Sequence, residues 1–492
     1  MEQPKPHALS LSPLFGDRAV LQRDKPVPVW GTAAPGDDIA VSFRGQVERT
    51  KADADGRWLV RLKPLAANSE PSDLVVAGRR KIAARDVVVG DVWLASGQSN
   101  MEFPVKRARA AEREIALALY PMVRHLKVER AVATAPAEDF RSNGWQAASP
   151  ATVGEFSAVG FFFAREIHNR VGVPVGIIDS TWGGTAVESW MNDKARRSTS
   201  IADKLESRWQ TAMADWPPER VARYPQDMAV WQRAEDLAKA EGTLNPLPWP
   251  QPPAAADSPA LPGGLFNAMI APLQPCGLRG ALWYQGESNT ERPWEYAELF
   301  ESMIRSWREG WEEGELPFYF AQIANYDERN DRTGRGWAWL REAQQRVLAL
   351  PATGMAVTID VGQAEDIHPV NKQDVGHRLA LVAEAGTYGL HVASQGPVLS
   401  GAAREGAGIR VRFIGAGPRL AAQGKNVHAL EIAGEDRAFH EASGAIDADT
   451  LLVSSPVVPD PVAVRYAWTN APSANLYGYS GLPAAPFRTD DW

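Results

Sequence analysis

Apolar positions along this chain change their spacing twice, and each change marks a change in predicted structure. Between residues 8 and 86 they fall in short β-rich runs at 27–31, 39–43, 57–62 and 73–76. Turn-forming Ala34-Pro35-Gly36-Asp37, Phe43-Arg44-Gly45 and Ala54-Asp55-Gly56 separate these runs. Short strands at that spacing predict an antiparallel sandwich. From about residue 87 the rhythm becomes strand, helix, strand. Val87-Val88-Val89 and Val92-Trp93-Leu94 form an almost continuous apolar run, the pattern of a strand covered on both faces. Ser157 is placed to cap a helix carrying Phe161, Phe162, Phe163 and Ile167, with Gly172 near its end. Further buried strands are predicted at 173–179, 278–284, 317–323 and 355–360. Tyr296, Leu299, Phe300, Met303, Ile304 and Trp307 recur at helical spacing and mark one buried face. Leu340, Val347 and Leu348 mark another helix, and a last one is expected over 374–385.

Five strands with intervening helices predict an α/β fold built on a parallel five-stranded sheet. From about residue 396 the pattern is β again, at 409–413, 429–432 and 451–454. The tail is rich in Trp, Tyr and Pro, has no helical period, and is expected to wrap back over another unit. The predicted organisation is an N-terminal β module over 1–86, a catalytic domain over 87–394 and a C-terminal β module over 395–492. Residues 192–262 read as an insertion: helical, charged sequence followed by the proline-dense run 245–253, which suits neither a central strand nor a helix interior. A lid and a surface decoration fit that insertion equally.

Composition narrows the function classes. A charged fraction of 23% and a net charge of −8, without a run of Lys or Arg, give no nucleic-acid footprint. No apolar stretch of about 20 residues predicts a membrane span. Cys276 is the only cysteine, so neither an intrachain disulfide nor a cysteine metal cluster can form. The start, Met1 to Pro6, does not read as a signal peptide. The 18 tryptophans would suit sugar stacking, although most Trp side chains belong to cores.

Candidate chemistry gathers at the ends of the predicted strands, where open α/β sheets bind ligands. Ser99 lies in the turn Gly97-Gln98-Ser99-Asn100 after the first of them. An activated serine needs a base and a group to orient it. Of the eight histidines, His7 and His368 among them, only His368 follows a predicted sheet strand with a carboxylate beside it, Asp366. Ser99, Asp366 and His368 thus fit triad logic in that chain order. Donors for a developing oxyanion are available from the Ser99 amide, from Gly183-Gly184 and from the Gln285 side chain. No G-x-S-x-G elbow surrounds Ser99, and no phosphate-binding loop or H-E-x-x-H occurs. Asp91, Asp179, Glu188, Glu287 and Asp360 leave a two-carboxylate glycosidase open, since spacing in sequence does not fix their separation.

Five ordered blocks together resemble the SGNH hydrolase superfamily and, more narrowly, the sialate O-acetylesterase family of carbohydrate esterases. They are Gly97-Gln98-Ser99-Asn100-Met101, Trp182-Gly183-Gly184-Thr185, the run 265–270, Trp283-Tyr284-Gln285-Gly286-Glu287-Ser288-Asn289 and Asp366-Ile367-His368-Pro369. The resemblance spans nearly the whole chain. It implies a flavodoxin-like three-layer catalytic domain flanked by sandwich or jelly-roll-like β modules. It also implies removal of acetyl groups from sugar hydroxyls without metal or other cofactor. Ser99 would be the nucleophile, His368 the base and Asp366 its partner, with Gly183, Gly184, Gln285, Glu287 and Asn289 lining the oxyanion and substrate site. Two features depart from the wider superfamily. Its third block usually supplies Asn as oxyanion donor, where Gln285 is the favoured donor here and Ser288 or Asn289 the alternatives. Its acid usually stands three residues before the histidine, a position occupied here by Glu365, whereas Asp366 stands two before. The expected substrate is an acetylated sugar, a sialic acid or a hemicellulose such as xylan or xyloglucan, with no nucleic-acid or membrane partner. A lipase or thioesterase on the same scaffold, and a sugar-binding protein with an inert triad, remain as alternatives.

Overall fold

A computed structural model describes residues 8–243, 245–248, 250, 253–328 and 330–492. The chain start, His7 and part of the proline-dense run (Trp249, Gln251 and Pro252) lie outside the described residues. The fold is mixed α/β, with a central, mostly parallel sheet and additional β sheets. The chain divides into two units, the first comprising Met1–Asp203, Ala254–Trp283 and Ser302–Phe318, the second Lys204–Pro253, Tyr284–Glu301 and Tyr319–Trp492.

In the first unit, strand β1 (Val20–Gln22) runs parallel to β2 (Lys81–Gly97), the longest strand. The first half of β2 also pairs antiparallel with the strand Asn68–Ala77, and its second half pairs parallel with a later strand. One strand therefore passes through residue 86, where the sequence pattern changes. The expected strands before it are present. In Arg57–Leu62, for example, Trp58, Val60 and Leu62 are buried and alternate with more exposed residues, the period of a half-buried strand.

Among the strands not expected from the pattern are two in the central sheet, β3 (Tyr120–Val128) and β4 (Ser142–Ala148). Pro121, Arg124 and His125 hide β3 in the sequence. The structure buries Arg124 against the Asp86 carboxylate (2.8 Å) and His125 against Asp179 (3.1 Å), so paired polar groups occupy core positions. The strand β5 (Val175–Thr181) is buried throughout and lies parallel to both β2 and β3. With β6 (Gly280–Tyr284) beside β2, the order in this unit is β6, β2, β5, β3, β4. The antiparallel edge strand β4 makes this part of the sheet mixed rather than purely parallel.

The one-turn helix α1 (Ser99–Glu102) follows β2, and α2 (Ala158–Val171) covers the sheet. Ser157 caps α2 as expected, its hydroxyl accepting from the Gly160 amide at 3.1 Å, and Gly172 closes it in the left-handed conformation. Trp93 meets Phe163 edge-on at 5.0 Å, and Trp190, Trp283 and Trp307 continue the aromatic core with centroids 5.8–5.9 Å apart.

The helix α3 (Pro293–Trp311) buries all six residues of its predicted face. In the second unit, β7 (Phe318–Ala321) neighbours β8 (Thr353–Ala356). The last of these is shorter and earlier than expected, because the chain leaves the sheet at Val357 and turns. The helix α4 (Gly336–Arg346) carries buried Arg341, whose guanidinium donates to the carbonyls of Ile323, Ala324, Thr469 and Asn470. That residue anchors the aromatic tail within the same unit. The helix α5 (Lys372–Gly386) starts two residues before its expected position, because Asn371 is its N-cap, the side chain accepting from the Asp374 amide. The 192–262 region is helical over Asp193–Arg197, Ala202–Ala214 and Pro218–Glu241, as its charge pattern suggested. Antiparallel sheets make up the C-terminal part.

Candidate functional site

Two groups of the expected residues are assembled, one in each unit. In the first, β2 ends at Gly97, whose φ of +128° turns the chain sharply and suits glycine. Ser99 then opens α1 and is partly exposed, between buried Gln98 and Asn100. The segment after β5 comes directly against it. A side chain on Gly183 would place its Cβ 3.1 Å from Ser99 Cβ and 3.5 Å from Ser99 Cα, a tight fit that glycine relieves.

The Gly183 amide, expected as an oxyanion donor, donates instead to Glu102 Oε2 at 2.9 Å. Gly184, next in the chain, has the positive φ (+74°) that the turn needs. Glu102 Oε1 accepts from Arg130 Nε and Nη2 at 3.0 and 2.8 Å, and Lys127 Nζ stands 3.6 Å away. The Arg130 guanidinium also lies over the Trp182 ring, 5.5 Å from its centroid. Beneath them, Asp179 is buried. Burial alone would raise its pKa, but the Lys127 ammonium at 2.9 Å, the His125 ring and the Thr181 hydroxyl outweigh that and hold the carboxyl well below its usual range.

In the second unit, Tyr284 ends β6 and the turn Gln285–Asn289 follows. Gln285 and Asn289 are buried, and Gln285 Nε2 donates to Asn289 Oδ1 at 2.7 Å. Gly286 has φ +154°, and a Cβ there would lie 2.6 Å from Leu340 and 2.7 Å from Ile323. Glu287 is buried beside Tyr284. Burial first, and then the Glu287 charge, push the Tyr284 phenol far above its ordinary pKa. The Lys372 ammonium lies 5.6 Å from the centroid of the same ring.

Asp366 and His368 do not lie in an extended segment: Asp366 closes a tight turn as an isolated bridge with Gln363, and His368 follows in a bend. Asp366 Oδ1 accepts from the His368 main-chain amide at 2.8 Å and stands 3.9 Å from the ring Nδ1. The ring contact is therefore longer than a hydrogen bond. Glu365 is exposed.

The carboxylates that left a glycosidase open are mostly committed elsewhere. Asp91 is bound by Arg23 and Arg279, Asp179 as above, and Asp360 by Arg378 at 2.6 and 2.7 Å. Among the described residues, no group of three or more His, Cys, Asp or Glu is arranged to hold a metal ion.

Comparison with known proteins shows the family. Residues 260–383 match the family described as carbohydrate esterase, sialic acid-specific acetylesterase. The sialate O-acetylesterase of Mus musculus is 27% identical, covering 93% of this chain and 90% of its own. That of Homo sapiens is 29% identical, covering 73% of this chain and 67% of its own. The crystal structure of a carbohydrate acetylesterase from Xanthomonas citri is 40% identical, covers 98% of this chain and 100% of its own, and superimposes with a TM-score of 0.83. The chain belongs to the sialate O-acetylesterase-like carbohydrate esterases.

Within this esterase, sequence reasoning passed over Glu102, Lys127, Arg130 and Asp179 as partners of the Ser99 region. Glu102 stands in the same short stretch as Ser99, three residues on, where one helical turn brings side chains together. That spacing is the signal that would have found it. Arg130 and Lys127 have no comparable local signal, because only the pairing of β3 with β5 brings them near. Most tryptophans are core or partly buried. Among the described residues Trp294, at the start of α3, is the exposed one, at 72%.

Proposed function

We propose that this carbohydrate O-acetylesterase works through Ser99, His368 and Asp366 on a flavodoxin-like SGNH scaffold. The observation that carries the reading is the 40% identity with the Xanthomonas citri carbohydrate acetylesterase over essentially both chains, together with a partly exposed Ser99 where β2 ends. In the proposed reaction Ser99 Oγ attacks the acetyl carbonyl while His368 takes its proton. The tetrahedral oxyanion is stabilised by the Ser99 amide and by donors from Gly184 and the Gln285–Asn289 turn. His368 then protonates the departing sugar hydroxyl, and the acetyl group remains on Ser99. Water, deprotonated by the same histidine, attacks that ester and releases acetate.

Asp366 fits the third position through its charge, 3.9 Å from His368 Nδ1, where it would stabilise the imidazolium formed during attack. The hydrogen bond it accepts from the His368 amide keeps the carboxylate beside the ring's own residue. The proposed substrate is an O-acetylated sugar, a sialoside or a hemicellulose chain; the mammalian relatives are named for sialate. The test is acetate release from acetylated sialosides, xylan and xyloglucan, alongside p-nitrophenyl esters of increasing acyl length. Acetyl esters are expected to be cleaved fastest, with one sugar class preferred. Faster cleavage of long acyl esters would favour a lipase or thioesterase, and no ester cleavage at all would favour an inert sugar-binding protein.

A further inference from the structure

The turn that carries Gln285 is held from two sides by residues to which the proposed reaction gives no part. From α4, Gln344 Oε1 accepts from the Ile323 amide at 2.9 Å, which fixes the orientation of its own side chain. Its Nε2 then donates to the Gln285 carbonyl at 3.1 Å and so holds the main chain where β6 ends. From α3, the Tyr296 hydroxyl stands 2.9 Å from Gln285 Oε1 and 3.2 Å from the Gln285 carbonyl oxygen. It thus spans the side chain and main chain of one residue. Tyr296 is fully buried, packed against Phe300 at a centroid distance of 5.4 Å, so its hydroxyl is delivered from a rigid position.

This arrangement has a chemical consequence. A glutamine amide has an acceptor end and a donor end, and which end faces a site depends on its partners. Tyr296 donates to Oε1, so Nε2 becomes the end turned toward Asn289, whose Oδ1 it reaches at 2.7 Å. Donation into the carbonyl also polarises the amide and makes its N–H groups better donors. A side chain with three rotatable torsions is held in one rotamer before substrate arrives, which is what preorganised stabilisation of an oxyanion requires. The geometry points to Tyr296 as a positioning residue that sets the donor end of Gln285 for the oxyanion of acetyl transfer. The inference rests on the reading of Gln285 as an oxyanion donor.

Four proteins test it: the parent, Tyr296→Phe, Gln285→Ala and the double variant, each assayed for kcat and KM on p-nitrophenyl acetate and for Tm. Phenylalanine keeps the buried ring and removes only the hydroxyl. Gln285→Ala is expected to lower kcat about 10²-fold, the usual consequence of losing one oxyanion donor. Tyr296→Phe is expected to lower kcat about tenfold with KM nearly unchanged, since misplaced donors act on the transition state. In the Gln285→Ala background the same change should leave kcat unaltered, because the group it positions is gone. A merely structural role for Tyr296 predicts the opposite: its effect on kcat would persist in the Gln285→Ala background. That additivity, or an unchanged kcat for Tyr296→Phe alone, overturns the inference while leaving Gln285 as donor. An unchanged kcat for Gln285→Ala overturns both.

Discussion

Asp366 shows how one side chain serves both backbone and proposed chemistry. Its Oδ1 caps the His368 amide at 2.8 Å while standing 3.9 Å from the ring. Asparagine would keep an oxygen for the amide and lose the charge, so Asp366→Asn separates the two roles. Turnover is expected to fall on the order of 10²–10⁴, as in other serine triads, with little change in KM. Glu365 is exposed, and Glu365→Gln should cost about tenfold or less through general electrostatics alone. Steady-state kinetics of both variants, with circular dichroism to check folding, decide the matter; a larger loss for Glu365→Gln would transfer the role to that residue. The segment is a turn and not extended, so alternation of faces along a strand does not choose between the two acids. The preference for Asp366 now rests on its contacts and on Glu365 facing solvent. At this scale the blocks around Ser99, Gln285 and His368 were legible because their types and order are local. The grip of Glu102 on the Gly183 amide was not, because it depends on how the ends of two strands meet.

At the scale of elements, local signals were read well where chain geometry acts locally. The Ser157 cap, the Gly172 stop and the six-residue face of α3 follow from helix periodicity and terminal hydrogen bonding. The strand β3 escaped because its buried polar residues acquire partners only in the folded sheet. Two carboxylates carry a pH dependence, one paired with β3 and one in the loop ahead of α4. Asp179 in β5 has its pKa depressed, burial being outweighed by Lys127 and His125. Asp331 ahead of α4 is lowered from 3.8 to about 2, partial burial being outweighed by donors from Thr333, Asn470 and the Gly336 amide. A carboxyl whose folded pKa lies below its unfolded value stabilises the fold above the unfolded pKa, and that contribution is lost as pH falls through the folded one. Resistance to urea is therefore expected to hold at about pH 5 and to decline from about pH 4 to about pH 2. Asp331→Asn should flatten part of that decline. A midpoint insensitive to pH across this window, or one unaffected by the substitution, would show that these pairs contribute little.

At the scale of the whole molecule, alternating strands and helices announced the mixed α/β fold and its mostly parallel sheet. The boundary near residue 86 was read from a change in periodicity, yet β2 runs through it as one strand, because a strand can pair antiparallel along one half and parallel along the other. Arg341 of α4 donates to the tail carbonyls of Thr469 and Asn470, so the tail is held by a helix from the 87–394 stretch, all within the second compact unit. Among the described residues no helix is long and apolar enough to cross a membrane. Its esterase activity follows from kinship with carbohydrate esterases, and one nucleophile, Ser99, is proposed to carry it. Acetate release from an acetylated carbohydrate by the parent and by Ser99→Ala, at equal concentration of folded protein, tests this most directly. The change removes one hydroxyl from a partly exposed turn, so the fold should persist while turnover falls by about 10⁴-fold or more. A Ser99→Ala protein that still releases acetate within about tenfold of the parent would contradict the account, since a triad without its nucleophile has no acetyl-enzyme to form.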